Sequence, residues 1–407
     1  MKKIFSIRFL TLWCFVLFLG GLFIPNLHPF IGEMLQELRF AATGEEASIV
    51  RIEEHYNARL PGRNLFVTIN GGFCRLMGKR ALNERYKLDN DQLTYVIPEF
   101  DMSDIAANTI AFSRMLEIEG IPFLYVNTPF KVDPENKQLP PGIEDYSNEN
   151  ADCFLNLLRE AGVDTLDLRE IVRAEGLDHS SLFYRTDHHW KAETGFWAFT
   201  EIVRELSRQD SAYVIDESIL AQENYGWMVY PKCFLGSAGQ RVGPLYSGLD
   251  DMTVITPLYD TWLRLWSVDS ADADEGTFSD ILLYPEFLDG DIFHSFPYNV
   301  YLGGSFAQLH LVNESRESGF AVTSTQRKIL AFTDSFAWVV APFLALGYDE
   351  TVFLDLRAFE EDVLDFVRVE QPDLVIVLYN PGSLKDECWN MFQFLPGGER
   401  LYPQQLS

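Results

Sequence analysis

Short apolar segments alternate with segments of helical periodicity along most of this chain. Continuous apolar strands that alternate with helices are typical of a parallel sheet covered on both faces. The sequence therefore predicts an α/β fold with a mostly parallel sheet and helices on both faces. The predicted strands are 64–69, 122–126, 164–168, 328–332, 351–354 and 374–379, and the predicted helices are 103–119, 149–161, 191–206, 337–346 and 358–367.

One long interruption breaks this alternation. Residues from about 210 to 301 are rich in Gly, Pro, Tyr, Trp and Asp and show no sustained helical period. Such a segment is typical of a β-rich or irregular insertion, which often carries specificity in α/β proteins. We therefore expect one large domain over residues 61–407 with this insertion, within the size that a chain of 407 residues allows.

The amino-terminal residues predict export. Lys2, Lys3 and Arg8 precede an uncharged run over residues 9–24. Basic residues before an apolar run are typical of a signal or anchor segment. We expect residues 1–25 to be a membrane anchor or signal segment and residues 26–60 a helical stalk. The protein would then be a single-pass membrane protein with an extracytoplasmic domain, or a secreted protein if the segment is cleaved.

Charge and cysteine content narrow the function classes. The formal net charge of −28 excludes nucleic acid as a natural partner, because such a surface repels phosphate backbones. Cys74, Cys153, Cys233 and Cys388 are scattered without metal-binding spacing, and their disulfide state stays open. We expect no cofactor and no structural metal.

Ser335 is the candidate nucleophile. It follows Asp334 where an apolar strand runs directly into a predicted helix. A serine at this junction lies at the carboxyl edge of the sheet, near free N–H groups of the helix start. Asp and Ser are also ordinary helix N-cap residues, so capping alone would explain the same pair.

Asp187, His188 and His189 are the candidate base system. A serine nucleophile needs a general base, and an imidazole oriented by a carboxylate commonly provides it. Two alternatives stay open from the residues alone: polar residues that precede a helix, or metal ligands. The metal alternative is weaker because adjacent histidine side chains diverge.

The block Thr-Asp-His-His-Trp at residues 186–190 resembles the signature of the bacterial DHHW protein family, which is similar to SGNH hydrolase-like alginate O-acetyltransferases. Further similar segments cover most of the chain. These are residues 61–63, 128–131, 302–304, 333–336, 354–357 and 379–380. The resemblance implies an SGNH hydrolase-like, flavodoxin-like fold, and the order Asp-x-His before Ser matches that of the related acetyltransferases.

The resemblance also implies residue roles. Asp187 orients the imidazole, His189 is the general base and Ser335 is the nucleophile, with His188 as the alternative base. The Ser335 amide, Gly304 and Asn380 are candidate oxyanion or substrate contacts. This chain departs from the family pattern at Thr333, where a glycine usually precedes Asp-Ser.

Three charged residues in the similar segments are kept out of the catalytic set. Asp355 and Arg357 follow an apolar strand as a charged pair, and Lys131 follows another strand. Charges in such positions more often form local ion pairs than substrate contacts.

The resemblance implies an extracytoplasmic O-acetyltransferase that acts on a cell-surface or secreted polysaccharide. Its partners would be the polysaccharide acceptor and an acyl donor or membrane acyltransferase. Two alternatives remain at this point: a carbohydrate esterase, and a non-catalytic surface domain that binds a glycan or a protein.

Overall fold

The computed structural model describes residues 62–268 and 273–385, with a few isolated positions before residue 62. The predicted anchor, the predicted stalk and Cys388 therefore lie outside the described residues. Within the described residues, no helix combines the length and apolar character needed to cross a membrane. The chain divides into a unit of residues 1–73 and a unit of residues 74–407, and the second unit contains the central sheet.

The strands and helices of these ranges are numbered in chain order. The strands are β1 Ala81–Leu82, β2 Arg85–Lys87, β3 Leu93–Thr94, β4 Phe123–Asn127, β5 Thr165–Asp167, β6 Tyr225–Phe234, β7 Asp250–Pro257, β8 Leu263–Ser267, β9 Asp274–Gly276, β10 Gln308–Asn313, β11 Thr325–Thr333, β12 Tyr348–Leu354 and β13 Leu374–Tyr379. The helices are α1 Arg63–Leu76, α2 Ser103–Ile118, α3 Ser147–Glu160, α4 Leu168–Glu175, α5 Ala192–Gln209, α6 Ser237–Val242, α7 Pro244–Ser247, α8 Phe278–Ile281, α9 Ala341–Gly347 and α10 Val363–Glu370.

The central sheet confirms the predicted α/β fold. In the described part of the chain it has eight strands in the order β5-β4-β13-β11-β12-β10-β8-β9. The strands from β5 to β12 in this order run parallel to their neighbours, and β10, β8 and β9 continue the sheet with antiparallel pairing. The sheet therefore consists of five parallel strands, continued at one side by three antiparallel strands.

Helices cover both faces of the sheet. Along β4, Leu124 and Val126 pack into one hydrophobic cluster, and Phe123 and Tyr125 pack into another. This alternation follows from the two-residue period of a strand. Helices α5 and α9 contribute to the first cluster, and α2, α3 and α10 contribute to the second. Burial on both faces explains why these strands are continuous apolar runs.

Two sequence-based expectations about local structure are wrong. Residues 64–69, predicted as a strand, lie in helix α1. A short apolar run with β-branched residues does not distinguish a strand from part of a longer helix. The helix predicted from residue 358 begins only at Val363, because Asp362 caps it by accepting hydrogen bonds from the N–H groups of Leu364 and Asp365.

The segment expected as an insertion has two parts. Strands β6 and β7 form an antiparallel ribbon of their own, with short 3₁₀ helices before β6 and the short helices α6 and α7 between the two strands. Strands β8 and β9 instead join the central sheet through β10. Cys233 at the end of the ribbon and Cys153 in α3 are free thiols.

The carboxyl ends of the parallel strands form the edge that matters for function. Parallel strands end at the same edge of a sheet, and ligands commonly bind there in open α/β folds. Strand β11 ends at Thr333, immediately before Asp334 and Ser335, and β13 ends immediately before Asn380. The fold therefore brings these residues to one edge.

Candidate active site

Ser335 lies at a sharp transition from strand to helix. Strand β11 ends at Thr333, and a 3₁₀ turn begins at Ser335. Asp334 caps this turn through a hydrogen bond that its Oδ1 accepts from Phe336 N, at 2.9 Å. Ser335 is partly exposed, while Asp334 and Phe336 beside it are buried. Of these three residues, Ser335 is therefore the one that the turn exposes to solvent.

The Asp334 carboxylate also connects the ends of β11 and β13. Its Oδ2 accepts hydrogen bonds from Asn380 N at 2.8 Å, Asn380 Nδ2 at 2.7 Å and Ser383 Oγ at 2.7 Å. Burial raises the pKa of Asp334, and these hydrogen bonds oppose that shift. Asn380 Nδ2 also donates to Ser383 Oγ at 3.2 Å. Both amide hydrogens of Asn380 are thus engaged by Asp334 and Ser383, which favours a positioning role, and its oxyanion role stays a prediction.

Asp187 and His189 lie in a closed loop before α5. A bridge between Phe183 and Trp190 closes the loop, and Tyr184 N donates to His189 O at 3.3 Å. The buried Trp190 indole donates to Phe336 O at 2.9 Å. This bond joins the loop directly to the turn that carries the candidate nucleophile.

The three predicted catalytic side chains lie in one hydrogen-bonded series. Ser335 Oγ lies 2.7 Å from His189 Nε2, and His189 Nδ1 lies 2.5 Å from Asp187 Oδ1. A carboxylate only accepts hydrogen bonds, so Nδ1 carries the imidazole proton and Nε2 accepts the serine hydroxyl. This is the geometry that a serine nucleophile with a general base requires.

The Asp187 carboxylate is fully buried and held on both oxygens. Oδ1 accepts from His189 N at 3.0 Å, and Oδ2 accepts from Ser237 N at 2.6 Å. Burial acts to raise the pKa of Asp187, but the His189 and His188 side chains lower it more, so it lies well below the ordinary value. The carboxylate therefore stays charged and orients the imidazole.

Aromatic rings hold the His189 imidazole in this orientation. The Tyr298 ring stacks on it with centroids 4.3 Å apart and an interplanar angle of 22°. Phe336 and Trp338 approach it at 5.4 Å and 6.4 Å. Tyr298 comes from the segment between β9 and β10, so this segment contributes to the base. No sequence motif marks Tyr298, and it was not predicted.

His188 occupies a different position from His189. Its ring centroid lies 3.9 Å from that of His189, and its Nδ1 lies 3.3 Å from Ser237 Oγ. Burial is the main cause that lowers the pKa of His188 to about 3. Between the two histidines, His189 is the one whose ring nitrogen lies within hydrogen-bond distance of Ser335.

Gly236 permits the close approach of two chain segments at Asp187. A Cβ at this position would lie 2.3 Å from Asp187 Cβ and 2.7 Å from Thr186 O. Gly236 N donates to Thr186 Oγ1 at 2.8 Å, and the next residue supplies the Ser237 amide to Asp187. Gly236 lies within the segment expected as an insertion, and no sequence pattern indicates its contact with Asp187.

Gly304 lies in the loop before β10. Because β10 is antiparallel to β12, this loop lies at the same sheet edge as Ser335. Gly304 has φ +123, and a Cβ there would lie 3.1 Å from Asn299 Nδ2. Among the hydrogen bonds of the described residues, none joins Gly304 to the Ser335, His189 and Asp187 series, and its oxyanion role stays a prediction.

The metal alternative uses the same atoms as the hydrogen-bonded series. Ligand atoms of Asp187, His188 and His189 lie within 4.8 Å of one another. However, His189 Nδ1 faces Asp187, and His189 Nε2 faces the Ser335 hydroxyl. These two bonds occupy both imidazole nitrogens, so the donor set fits proton transfer better than metal binding.

The charged pair after β12 is local. Arg357 Nε and Nη2 donate to the Asp355 carboxylate at 2.8 Å and 2.6 Å. This bidentate pair agrees with the structural interpretation given to both residues from the sequence.

Comparisons with known proteins agree with this fold. Residues 97–228, which include Asp187 and His189, match the family model described as an SGNH hydrolase-like domain of the acetyltransferase AlgX. A comparison with curated proteins gave no match. The predicted resemblance to SGNH hydrolase-like acetyltransferases is therefore confirmed over that segment.

Similar solved structures extend the agreement over most of the chain. Bacillus cereus PatB1 has 21% identity and a TM-score of 0.61, over 75% of this chain and 98% of that one. PatB1 with a sulfonyl adduct has 19% identity and a TM-score of 0.60, over 75% and 96%. A DHHW family protein from Eubacterium siraeum has 16% identity and a TM-score of 0.56, over 75% and 94%. These structures confirm the SGNH-like fold.

Proposed function

We propose that this protein is an extracytoplasmic serine acyltransferase that acetylates hydroxyl groups of a polysaccharide. The observation that carries the proposal is the hydrogen-bonded series of Ser335, His189 and Asp187 at the exposed sheet edge, with distances of 2.7 Å and 2.5 Å. The match to an acetyltransferase family model supports acyl transfer in general terms. The polysaccharide acceptor follows from the family resemblance.

In the first step, Ser335 Oγ attacks the acyl carbon of an acetyl donor while His189 Nε2 takes the hydroxyl proton. The bond between the acyl carbon and the donor oxygen breaks, and His189 returns its proton to that oxygen. Asp187 stabilises the imidazolium that exists between these events. The product is an acetyl ester on Ser335.

In the second step, a sugar hydroxyl loses its proton to His189 and attacks the ester carbonyl. The ester bond to Ser335 breaks, and the serine oxygen regains a proton from His189. The Ser335 N–H stabilises the oxyanion in both steps, since it lies in the first turn of a helix where N–H groups lack helical partners.

The proposal places the reaction outside the cytoplasm, with the acetyl donor supplied by a membrane acyltransferase partner. The basic and apolar character of residues 1–25 supports this location.

A carbohydrate esterase is the second candidate, because water in place of the sugar hydroxyl gives hydrolysis through the same atoms. A role in binding alone is less well supported, since binding does not require a serine hydroxyl aligned on an imidazole backed by a buried carboxylate.

The test measures acetyl transfer by the full chain from an aryl acetate to an oligosaccharide, with Ser335→Ala beside the wild type. Ser113→Ala is the matched control, since Ser113 lies in α2 and its hydroxyl donates to Ile110 O within that helix, with no further bond among the described residues. We expect acetylated oligosaccharide from the wild type and the control, and none from Ser335→Ala.

Two other results would contradict parts of the proposal. Free acetate as the sole product, with an acceptor present, would favour the esterase. Equal activity of Ser335→Ala and wild type would show that Ser335 is not the nucleophile.

A further inference from the structure

Lys131 is a fully buried lysine beside the candidate active site. It follows β4, and only 1% of its surface is exposed. Its Nζ donates to Tyr184 O at 2.6 Å, to Arg185 O at 3.2 Å and to Asp187 O at 2.5 Å. These bonds use all three donors of an ammonium group. The three acceptors are carbonyl groups of one loop. Over residues 62–268 and 273–385, Lys131 forms no ion pair.

The amide groups of the same loop are held by a carboxylate. Asp250, at the start of β7, accepts from Arg185 N at 2.9 Å and from Thr186 N at 2.7 Å. It also accepts from Thr186 Oγ1 at 2.6 Å. A cation therefore binds the carbonyl groups of the loop, and an anion binds its amide groups.

Three carbonyl oxygens that converge on one point repel one another unless a cation lies between them. Burying an ammonium is costly, and these dipoles are what compensates the cost here. Burial lowers the pKa of Lys131 to about 7, while Asp250 and Asp187 favour the charged form and Arg185 and Lys191 oppose it. The charged amine can make all three bonds, whereas a neutral amine has only two N–H groups.

We infer that Lys131 is a positioning residue that holds the loop of Asp187 and His189 in the geometry needed for acyl transfer. The inference rests on the proposed function for its catalytic consequence. Asp187 O is itself one of the three acceptors, so losing the ammonium frees the backbone of the residue whose carboxylate orients His189. A displacement of about 1 Å in such a group can cost on the order of 100-fold in rate.

The test variant is Lys131→Met, which keeps a similar length and removes all donors. Lys328→Met is the matched control, because Lys328 pairs with Glu350 and Glu370 at the opposite end of β11. We expect Lys131→Met to lower kcat for ester turnover about 100-fold with little change in KM. We expect Lys328→Met to keep the wild-type kcat, whatever it does to stability.

A second readout does not depend on activity. The short bond between His189 Nδ1 and Asp187 should give a proton NMR signal far downfield of the amide signals, at about pH 6 where the Lys131 amine is protonated. We expect this signal in wild type and Lys328→Met, and its loss or displacement in Lys131→Met. An inactive wild type that loses the signal in Lys131→Met would support the positioning role while refuting the proposed function.

A folded Lys131→Met with the wild-type signal and wild-type kcat would overturn the inference. If Lys131→Met does not fold, Lys131→Ala in the presence of propylammonium gives the same readout. Restoration of the signal by propylammonium but not by 1-propanol supports the ammonium role. Equal effects of the two compounds would overturn it, because only the lost volume would then matter.

Discussion

At the scale of single residues, the candidate site depends on one buried charge. Asp187 is completely buried, and its carboxylate accepts hydrogen bonds from the His189 ring, the His189 N–H and the Ser237 N–H. A carboxylate in this place accepts a hydrogen bond from Nδ1–H, which keeps the proton on Nδ1 and leaves Nε2 free to accept the proton of Ser335. The reactivity of the serine therefore depends on a residue that does not contact the substrate.

Asp187→Asn tests this dependence. The amide has nearly the size of the carboxylate, but it can stabilise the wrong imidazole tautomer and cannot stabilise an imidazolium. In serine proteases the equivalent change lowers kcat by about 10⁴, and we expect a loss of similar order in aryl acetate turnover. Activity within tenfold of wild type would show that the carboxylate does not support the base.

The same charge makes stability depend on pH. The pKa of Asp187 is lowered in the folded state, so its contribution to stability is present above the unfolded value of about 3.9 and is lost as pH falls through the folded value. Urea unfolding should therefore show wild type losing its advantage over Asp187→Asn as pH falls below about 4. A difference between the two proteins that is constant with pH would contradict this sign.

Gly236→Ala tests the packing around the carboxylate. The new Cβ would lie 2.3 Å from Asp187 Cβ, so one of the two segments must move. We expect a loss of about 1–3 kcal/mol in the free energy of unfolding and a lower kcat. Gly226→Ala in β6 is the control, because its nearest contact is an ordinary 3.4 Å. Equal effects of the two substitutions would contradict the account.

At the scale of elements, two strand ends and one loop form the site. Asp334 joins the end of β11 to Asn380 and Ser383 after β13, and Trp190 joins the loop before α5 to the turn at Ser335. The serine turn is thus fixed from two sides. Its position follows from the register of neighbouring parallel strands, in which Thr333 pairs with Leu378.

Asn380→Ala tests the connection between β11 and β13. It removes the side-chain donor to the buried Asp334 carboxylate and the side-chain bond to Ser383 Oγ, which should lower the free energy of unfolding by about 1–3 kcal/mol and also lower kcat. The backbone N–H of residue 380 remains as a donor to Asp334. The decrease in the free energy of unfolding should therefore be smaller than if Asp334 lost all its partners. Asn224→Ala is the control, since it loses one bond to Ser218 O in a partly exposed site. A kcat for Asn380→Ala equal to that of the control would show that the strand connection does not position the serine.

The sequence was sufficient to predict the candidate nucleophile and base, but not the residues that hold them in position. Ser335 follows a continuous apolar strand, and Asp187 and His189 lie in a distinctive block, so local patterns were sufficient to select them. Tyr298, Gly236 and Lys131 act through contacts with residues distant in the chain, which no local pattern encodes. Residues 64–69 lie in a helix and not in the predicted strand, because a short apolar run fits both periods.

At the scale of the whole molecule, the segment between α5 and β11 contributes residues to the candidate active site and strands to the central sheet. It supplies the Ser237 amide and Asp250 to the loop of Asp187, and it supplies the Tyr298 ring to His189. It also extends the parallel sheet with antiparallel strands β8, β9 and β10. The base is therefore assembled from two parts of the chain, while the nucleophile depends mainly on the parallel strands.

The acyl-enzyme intermediate tests the central claim most directly. Wild-type protein mixed briefly with an aryl acetate, quenched in acid and digested should carry one acetyl group, located by mass spectrometry on the peptide that contains Ser335. His189→Ala treated in the same way should carry none at that position. Turnover by the wild type with the acetyl group on a different residue, or with no acetyl-enzyme at any time after mixing, would contradict the assignment of Ser335 as the nucleophile.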